Sequence, residues 1–273
     1  MALAKAGFVL AIKPTSVLRP HEETIPDHVR GLAEEMKKEG VQRDPIIIDQ
    51  DTATVLDGMH RLAAFAALRI DNAVCCSVEY SSKSVSIGRW ARVYTMRRGD
   101  YASEALGRTG LTRRVTLAEA FDALDNKEAG LAVLTSNAAY LPSGKMGLAA
   151  AIDTIEDFDD RSAGHRWERN FVPEDDVDIP LQSERNIVVL LRKLGKDDVV
   201  EAGRSGKLFP CKTSMHRIDP RPVAVNFPLA ELNGATTTSL RKALAGREER
   251  LLPPDSMYAG RRYKERLLLL DQE

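Results

Sequence analysis

The stretch Leu56-Asp57-Gly58-Met59-His60-Arg61 decides the fold, because it marks a strand that passes directly into a helix. Residues 54–56 form a short β-prone run, which Asp57 and Gly58 interrupt. An Ala- and Leu-rich segment at 59–68 then favours a helix. The first N–H groups of a helix have no partner within it and carry a partial positive charge. The junction is therefore a place where a phosphate group can bind.

The first eighty residues alternate between strand and helix patterns. Residues 7–12 form an apolar run that favours a strand. Apolar residues spaced by three and four positions then predict a helix, with Thr24 as its N-cap and Gly40 as its end. Further strands are predicted at 45–48 and 73–79. The order β, loop, α, β, β, α, β predicts a mixed α/β fold.

The pattern is weaker after residue 84, and we place a domain boundary after residue 95. We expect residues 1–95 to form the first domain and residues 96–273 to form a mixed α/β C-terminal part. The elements predicted beyond residue 84 are a strand at 90–96, a helix at 116–127 capped by Thr116, a strand at 131–135, an acidic surface loop at 156–180, helices at 182–194 and 197–202, a basic loop at 203–222, a strand at 223–227 and a mostly helical last forty residues.

Composition excludes several broad classes of protein. The chain has 273 residues, of which 43% are hydrophobic and 29% are charged, enough to bury a substantial core. A net charge of −1 gives no basic field for general nucleic-acid binding. No apolar run reaches the length of a membrane span. Three cysteines are too few for a disulfide framework and favour a reducing compartment. We therefore expect a soluble, cytoplasmic protein without membrane partners, and the sequence carries no signal for its oligomeric state.

Two clusters of polar residues in the first domain could carry chemistry, and each has a plainer interpretation. Glu22 lies in a loop before a helix, where a carboxylate can act as a general base or simply interact with the helix dipole. At the junction, Asp57 can hold Mg²⁺ while Gly58 and Arg61 approach a phosphate. Alternatively, Asp57 caps the helix, and His60 and Arg61 face solvent.

A third cluster, Lys212-Thr213-Ser214-Met215-His216-Arg217, lies inside the predicted basic loop. Two hydroxyls between cations can wrap an anionic group, although a loop of this composition is also typical of solvated surface. Trp90 fits either a core position or the wall of a substrate site. The sequence has no P-loop, protein-kinase motif set, catalytic-serine elbow or histidine pair at zinc-site spacing.

These segments together resemble a known family. The β-loop-α-β-β-α-β start, with Pro20-His21-Glu22 and Asp57-Gly58-Met59-His60-Arg61, is similar to the ParB/sulfiredoxin-like fold. More narrowly, it resembles the free L-serine kinases built on that fold. That family also has a late Lys-Thr-x-x-His segment, which here is Lys212-Thr213-Ser214-Met215-His216. The resemblance spans most of the chain, although the middle third adds little to it.

The resemblance implies transfer of a phosphoryl group from ATP or ADP to the hydroxyl of free L-serine, with Mg²⁺, giving O-phospho-L-serine. It implies that 1–95 bind the nucleotide and that 96–273 complete the active site. The implied roles are Glu22 as the catalytic base, Asp57 as the second essential carboxylate and metal ligand, Gly58, His60, Arg61, Lys212, His216 and Arg217 at the nucleotide phosphates, and Trp90, Thr213 and Ser214 at the substrate.

Two departures from the family pattern leave the nucleotide and the hydroxyl substrate open. Met59 stands where the family often has a second His, and Met215 stands where Arg is common, although Arg217 can supply that charge. A kinase for another small hydroxyl compound shares all of these residues. A ParB-like, nucleotide-switched DNA-binding protein is the main alternative, but no convincing recognition helix follows Tyr94. A sulfiredoxin-like reductase would need a cysteine at Met59.

Overall fold

A computed structural model describes residues 3–5, 8–100, 106 and 110–270 of the chain. The chain divides into two compact units. The first unit contains Met1–Ser86, Lys196–Cys211 and His216–Glu273, and the second contains Ile87–Gly195 and Lys212–Met215. The units therefore do not follow a single boundary after residue 95, because two later segments of the chain return to the first unit.

The regular elements are numbered in chain order. The helices are α1 (Pro26–Glu39), α2 (Met59–Leu68), α3 (Leu117–Asp125), α4 (Leu148–His165), α5 (Lys196–Ser205), α6 (Leu229–Leu232) and α7 (Thr237–Leu244). The strands are β1 (Leu3–Lys5), β2 (Phe8–Pro14), β3 (Val41–Gln42), β4 (Ile46–Asp49), β5 (Val55–Asp57), β6 (Asn72–Val78), β7 (Val85–Thr95), β8 (Leu111–Val115), β9 (Leu131–Leu134), β10 (Ala139–Pro142), β11 (Glu168–Pro173), β12 (Asn186–Leu191), β13 (Ser214–Ile218), β14 (Arg221–Val223), β15 (Phe227–Pro228), β16 (Arg250–Leu252), β17 (Ser256–Tyr258), β18 (Arg261–Tyr263) and β19 (Leu267–Leu269). Short 3₁₀ turns lie at Thr15–Val17, Glu174–Asp176 and Pro180–Gln182.

The main sheet of the first unit has the strand order β1-β2-β6-β4-β5. Strands β4 and β6 are parallel, and the other pairs are antiparallel. Ile46, Ile47 and Ile48 of β4 are all buried, as expected for a strand covered on both faces. The predicted mixed α/β order of this part is confirmed, while Gly7, the predicted start of the first strand, lies outside the described residues.

The two long helices of the first unit begin differently from one another. Helix α2 spans the predicted range, but Thr24 does not cap α1. Ile25 occupies the N-cap position, and its N–H donates to His60 Nε2 at 3.1 Å. Pro26 follows at the first helical position, where its missing N–H costs no hydrogen bond. Helix α1 ends at Gly40, whose φ of 73° suits a glycine, as the sequence predicts.

The second unit contains an antiparallel sheet with the strand order β11-β7-β12-β9-β10-β8. Strands β7 and β9 confirm the strands predicted at 90–96 and 131–135. Thr116 caps α3 as predicted, because its hydroxyl accepts from the N–H of Glu119 and its own N–H donates to the Glu119 carboxylate. Helix α3 ends slightly earlier than predicted.

Two predictions for the second unit are wrong. The predicted helix at 182–194 contains strand β12, which is buried between β7 and β9. A strand that is apolar on both faces has no alternation, so its pattern resembles that of a buried helix. The predicted acidic loop at 156–180 contains much of α4 and all of β11. Ile155 and Phe158 bury one face of α4, whereas Glu156, Asp157 and Asp160 lie on its exposed side.

The later part of the chain also differs from prediction. The helix predicted at 197–202 is confirmed as α5, but the predicted basic loop at 203–222 contains the end of α5, β13 and the start of β14. The last forty residues form α7 and the short strands β16 to β19 rather than mostly helix, because β19 pairs with both β14 and β16. The predicted strand at 223–227 is interrupted where Ala224 and Asn226 adopt positive φ. Among the described residues, no helix combines the length and apolarity needed to cross a bilayer.

Candidate functional site

The loop that carries Glu22 is held in place by backbone hydrogen bonds on both sides. Arg19 forms a bridge with Thr54 next to β5, and Glu22 forms a bridge with Phe209 after α5. The Phe209 N–H donates to the His21 carbonyl oxygen, and the Glu23 N–H donates to the Phe209 carbonyl oxygen, each at 2.9 Å. The side chain of Glu22 is only 4% exposed. A carboxylate in a mobile loop would be easily displaced, but this one has a fixed position.

His21 connects Glu22 to the strand that precedes α2. Its Nδ1 lies 2.6 Å from the carbonyl oxygen of Val55, and its Nε2 lies 3.6 Å from Glu22 Oε1. The imidazole of His216 packs edge-on against the His21 ring, with 5.4 Å between ring centroids. Three sequence-distant segments of the first unit, the His21-Glu22 loop, strand β5 and the part of β13 that begins at His216, therefore meet.

Gly58 stands directly before helix α2 and has no side chain that could cap it. Gly58 occupies the N-cap position with φ 103°, and no side chain of the described part of the chain caps this helix. The Arg61 guanidinium folds back beside Gly58 and donates to Asp57 Oδ2 at 2.7 Å and to the Pro45 carbonyl oxygen at 3.1 Å. The alternative in which Asp57 caps the helix is therefore wrong, because its carboxylate binds arginine instead.

Asp57 lies among cations. Besides Arg61, Arg221 approaches Asp57 Oδ2 at 3.3 Å, and Arg221 also binds Glu265 Oε1 at 2.7 Å. Burial works against ionisation of Asp57, but Arg221 and then Arg61 outweigh it and hold the pKa of the carboxyl well below its usual range. Both arginines remain charged, since burial lowers but Asp57 raises the pKa of each guanidinium, with a net rise. Asp57, Arg61 and Arg221 therefore form a cluster of charged side chains next to the junction, which we call the charged support.

A cavity of about 410 Å³ opens beside the Glu22 loop within the first unit. Glu22 and Met59, the first residue of α2, both line it together with later residues on the same side of that helix, so a buried carboxylate and one side of α2 border one space. The other lining residues are Thr15, Ser16, Pro20, Glu23, Thr24, Leu62, Ala63, Ala66 and Leu208. Its volume is in the range of small-molecule sites, and its mostly apolar wall with a few polar groups is typical of them.

The late segment predicted to bind substrate and phosphate is divided between the units. In the second unit, Lys212 Nζ lies 4.5 Å from the centre of the Trp90 ring, so two predicted site residues contact each other. Thr213 and Ser214 are buried there. His216, in the first unit, is buried, and its Nε2 lies 2.7 Å from the Tyr80 hydroxyl. This contact places His216 in the interior of the first unit.

The remaining predicted phosphate ligands have other contacts as well. His60 accepts the hydrogen bond from Ile25 that fixes the start of α1, and Arg217 is partly exposed on β13. No group of three or more His, Cys, Asp or Glu side chains within the described ranges is placed to hold a metal ion. The roles of these residues toward nucleotide, substrate and metal stay predictions.

Sequence reasoning missed Arg221 and Tyr80. Arg221 is 3% exposed and Tyr80 is 4% exposed, and both contact residues of the site. The available signal for Arg221 is a cation at the start of the otherwise apolar segment 221–225, where a charge requires a partner. Tyr80 follows strand β6 directly, and nothing local distinguishes it from an ordinary core aromatic.

Comparison with solved structures identifies the fold of this chain. A solved free serine kinase in complex with AMP aligns with a TM-score of 0.65 and 21% identity, over 84% of this chain and 95% of that one. A free serine kinase in complex with ADP aligns with a TM-score of 0.65 and 19% identity, over the same shares of the two chains. The predicted fold class is therefore confirmed. No protein-family model matches the chain.

Proteins with similar sequences include an L-serine kinase and a ParB-like protein. The ADP-dependent L-serine kinase of Thermococcus kodakarensis is 22% identical over 223 residues, which cover 79% of this chain and 89% of that protein. The ParB-like protein of Sulfolobus acidocaldarius is 33% identical over 76 residues, 28% of this chain and 38% of that protein. This chain therefore spans well under two thirds of the length of the ParB-like protein. The resemblance to free serine kinases and to ParB-like proteins that the sequence predicts is confirmed.

Substitution of Gly58 by alanine tests the junction. A Cβ at Gly58 would lie 3.0 Å from Arg61 Nη2, on a backbone whose φ of 103° strains other residues. We expect Gly58→Ala to lower the free energy of unfolding by about 1–3 kcal/mol, measured by chemical denaturation. Gly31→Ala, in helix α1, is the control, because a Cβ at Gly31 would have no neighbouring atom within 4 Å. This change should raise the free energy of unfolding by up to about 1 kcal/mol. Equal stability of Gly58→Ala and the wild type would contradict this account of the junction.

Substitution of Asp57 by asparagine tests the charged support. Because the folded-state pKa of Asp57 is depressed, its ionised carboxyl stabilises the fold at neutral pH, and this contribution is lost as the pH falls below about 4. We expect Asp57→Asn to cost about 2 kcal/mol of unfolding free energy at pH 7, with the difference from wild type narrowing at lower pH. Glu35→Gln, which removes an exposed ion pair to Arg43, should change it by less than about 0.5 kcal/mol. If the difference in unfolding free energy between Asp57→Asn and the wild type does not change with pH, the carboxyl of Asp57 is not the ionised group assigned here.

Proposed function

We propose that this protein transfers a phosphoryl group from a nucleotide to the hydroxyl of free L-serine, giving O-phospho-L-serine. The observation that carries the proposal is the cavity bordered by the buried Glu22 carboxylate and by one side of α2, a helix whose N-cap, Gly58, provides no side-chain cap. The similarity to an ADP-dependent L-serine kinase over 79% of the chain supports the same activity.

The chemistry suits these groups. Phosphoryl transfer depends mainly on alignment of the reactants and neutralisation of charge. The N–H groups at the start of α2 bind the nucleotide phosphates, and Gly58 lets the phosphates approach the backbone closely. Leu62, Ala63 and Leu208 form an apolar part of the cavity wall. Glu22 accepts the proton of the serine hydroxyl as its oxygen attacks phosphorus.

The charged support contributes to phosphate binding by holding two arginines in fixed positions close to the start of α2. Arg61 and Arg221 are both bound to Asp57 and stay charged, and the carboxylates of Asp57, Asp44 and Glu265 compensate their charge. Asp57 therefore contributes by orienting two cations, in addition to any direct role. Lys212, Arg217, His60 and His216 are retained as proposed phosphate ligands, and Trp90, Thr213 and Ser214 as proposed serine ligands.

Mg²⁺ belongs to the proposal as the companion of the nucleotide. Mg²⁺ at nucleotide sites takes one or two protein carboxylates and completes its shell with phosphate oxygens and water. Asp57 is the carboxylate proposed to hold the ion, although two arginines already bind its Oδ2. When bound, Mg²⁺ supplies neutralisation of the negative charge on the phosphates.

The phosphoryl donor is proposed to be ADP or ATP. One relative is described as an ADP-dependent L-serine kinase, and an ATP-dependent L-serine kinase of Staphylothermus marinus is 34% identical over 77 residues, 31% of that protein. We also propose a cytoplasmic location, where both nucleotides and free serine occur; the described cysteines, Cys75, Cys76 and Cys211, form no disulfide bond.

A DNA-binding function is the less favoured alternative. The match to a ParB-like protein covers 28% of this chain, whereas the match to the ADP-dependent kinase covers 79%. The net charge of −1 also provides little long-range attraction for a polyanion. Salt-sensitive binding to duplex DNA, without product formation in the assay below, would favour this alternative.

A direct assay tests the function. We expect the protein, incubated with Mg²⁺ and either ADP or ATP, to form O-phospho-L-serine from L-serine, detected by mass spectrometry. L-alanine, which lacks the hydroxyl, should give no product. D-serine, L-threonine and L-homoserine determine whether the hydroxyl alone is recognised. Reactions without Mg²⁺ should lose most of their rate. Phosphorylation of none of the hydroxyl amino acids with either nucleotide would refute the proposal.

Substitution of Glu22 by glutamine tests the assigned base. Glutamine has the same shape but cannot take a proton, so we expect kcat to fall by at least about 10²-fold while nucleotide binding is retained. Glu34→Gln, at an exposed position of helix α1, is the matched control and should keep wild-type kcat. A Glu22→Gln variant with wild-type kcat would remove Glu22 from the reaction.

A further inference from the structure

Helix α5 packs against the start of the Glu22 loop at a glycine that leaves no room for a side chain. A Cβ at Gly203 would lie 2.9 Å from both Cγ2 and Oγ1 of Thr54, and 3.4 Å from the carbonyl oxygen of Arg19. A carbon atom cannot lie 2.9 Å from non-bonded heavy atoms without a shift, so only the hydrogen of glycine fits. Gly203 is therefore needed for the close approach of the helix.

Thr54 has little freedom to give way to a larger residue. Its side chain is fully buried, and its Oγ1 lies 2.8 Å from Oγ1 of Thr52, which donates to Asp49 Oδ2 at 2.6 Å. A hydroxyl has one hydrogen, so Thr52 donates to Asp49 and accepts from Thr54. This chain of hydrogen bonds holds the Thr54 side chain in one orientation. Thr54 is thus a fixed surface on which α5 packs.

The C-terminal end of α5 leads to the backbone of Glu22. Gly206 follows the helix with a φ of 72°, in the left-handed region that favours glycine, and turns the chain. Phe209 then lies beside the Glu22 loop and forms a parallel bridge with Glu22. Two backbone hydrogen bonds of 2.9 Å join Phe209 to the residues on either side of Glu22. The position of Glu22 is therefore connected to that of the helix.

Both ends of the Glu22 loop are thus held next to the same helix. At the start of the loop, the Arg19 N–H donates to the Ala53 carbonyl oxygen at 3.0 Å, and the Val55 N–H donates to the Arg19 carbonyl oxygen at 2.8 Å. These bonds flank Thr54, on which Gly203 packs. A shift of α5 away from Thr54 would move the segment that pairs with the other end of the loop. Misplacement of a catalytic group by about 1 Å can cost about 10²-fold in rate.

We propose that Gly203 is a positioning residue for Glu22, because its contact with Thr54 sets how closely α5 approaches the Glu22 loop. In this role Gly203 contacts neither serine nor nucleotide, and it acts through Phe209 on the backbone of Glu22. The proposal rests on the kinase function proposed above, in which Glu22 accepts the proton of the serine hydroxyl.

Kinetics of an alanine variant test this role. In Gly203→Ala, either α5 or Thr54 must shift, which changes the position of the Glu22 loop. We expect kcat to fall by about 10- to 100-fold, with the KM values for serine and nucleotide changed by less than about threefold. Gly31→Ala, in helix α1, is the matched control, because its Cβ meets nothing within 4 Å, and it should keep wild-type kcat. Wild-type kcat in Gly203→Ala would overturn the proposal.

A compensating substitution separates positioning from a general loss of packing. Thr54→Ala removes both atoms that lie 2.9 Å from a Cβ at Gly203, so α5 can keep its place in the double variant. We expect Gly203→Ala combined with Thr54→Ala to have a kcat within about threefold of Thr54→Ala alone. Losses of kcat that multiply in the double variant would contradict the proposal.

Hydrogen exchange, which needs no turnover, distinguishes failure of the positioning role from failure of the proposed function. The Phe209 N–H donates to the His21 carbonyl oxygen, and the Glu23 N–H donates to the Phe209 carbonyl oxygen. In Gly203→Ala we expect both amides to exchange at least about 10-fold faster than in the wild type, as the bridge loosens. The Arg192 amide, which donates to the Gly130 carbonyl oxygen in the second unit, is the internal control and should not change.

The two measurements together have distinct outcomes. Unchanged exchange of the Phe209 and Glu23 amides in Gly203→Ala would overturn the positioning role even in an active enzyme. Faster exchange, with no phosphoserine formed by the wild type, would refute the kinase function and with it the effect on catalysis.

A milder variant is used if circular dichroism shows that Gly203→Ala does not fold. A Cβ at Gly206 meets nothing within 4 Å, but the φ of 72° strains any other residue, so Gly206→Ala disturbs the turn between α5 and Phe209. We expect this variant to lower kcat by about 3- to 10-fold and to speed exchange of the Phe209 amide. Wild-type values of both in a folded Gly206→Ala protein would then overturn the proposal.

Discussion

One carboxylate oxygen, Oδ2 of Asp57, binds both Arg61 and Arg221, and the arrangement of the first unit depends on this contact. Arg61 belongs to helix α2, while Arg221 begins strand β14 near the other end of the chain. Arg221 also donates to the carbonyl oxygen of His216, and so fixes the segment whose imidazole packs against His21. The strand–helix junction, the late segment and the Glu22 loop are thus connected through a single charged group.

Such a cluster places strong limits on what can change around it. Taking a charge out of water costs several kcal/mol, and the cost is offset only when opposite charges and hydrogen bonds surround it. Here Arg61 and Arg221 are balanced by Asp57, Asp44 and Glu265. Removing Asp57 would take away a counter-charge that both guanidinium groups share. The same constraint that makes the cluster sensitive to substitution keeps the two guanidinium groups in fixed positions near the start of α2.

Prediction from sequence succeeded where local signals were strong. Gly58 before an Ala- and Leu-rich run located helix α2, and Thr116 as a helix cap located α3. It failed where the same pattern fits two structures: β12 is apolar on both faces and was predicted as a helix. It also failed for α4, because acidic residues on the exposed face concealed the buried positions Ile155 and Phe158. For the site, the role of Glu22 was implied by the family resemblance and stays a prediction, and the contact between His216 and Tyr80 was not predicted.

The sequence by itself determined the order of strands and helices in the first eighty residues and the start of α2 after Gly58. These features follow from backbone propensity, capping and short motifs, which act over a few residues. Only the tertiary structure decided that Arg221 binds Asp57, that Tyr80 supports His216, and that His21 lies between Val55 and Glu22. Those contacts join residues far apart in the chain, and their energy comes from burial and charge pairing that exist only once the fold has formed.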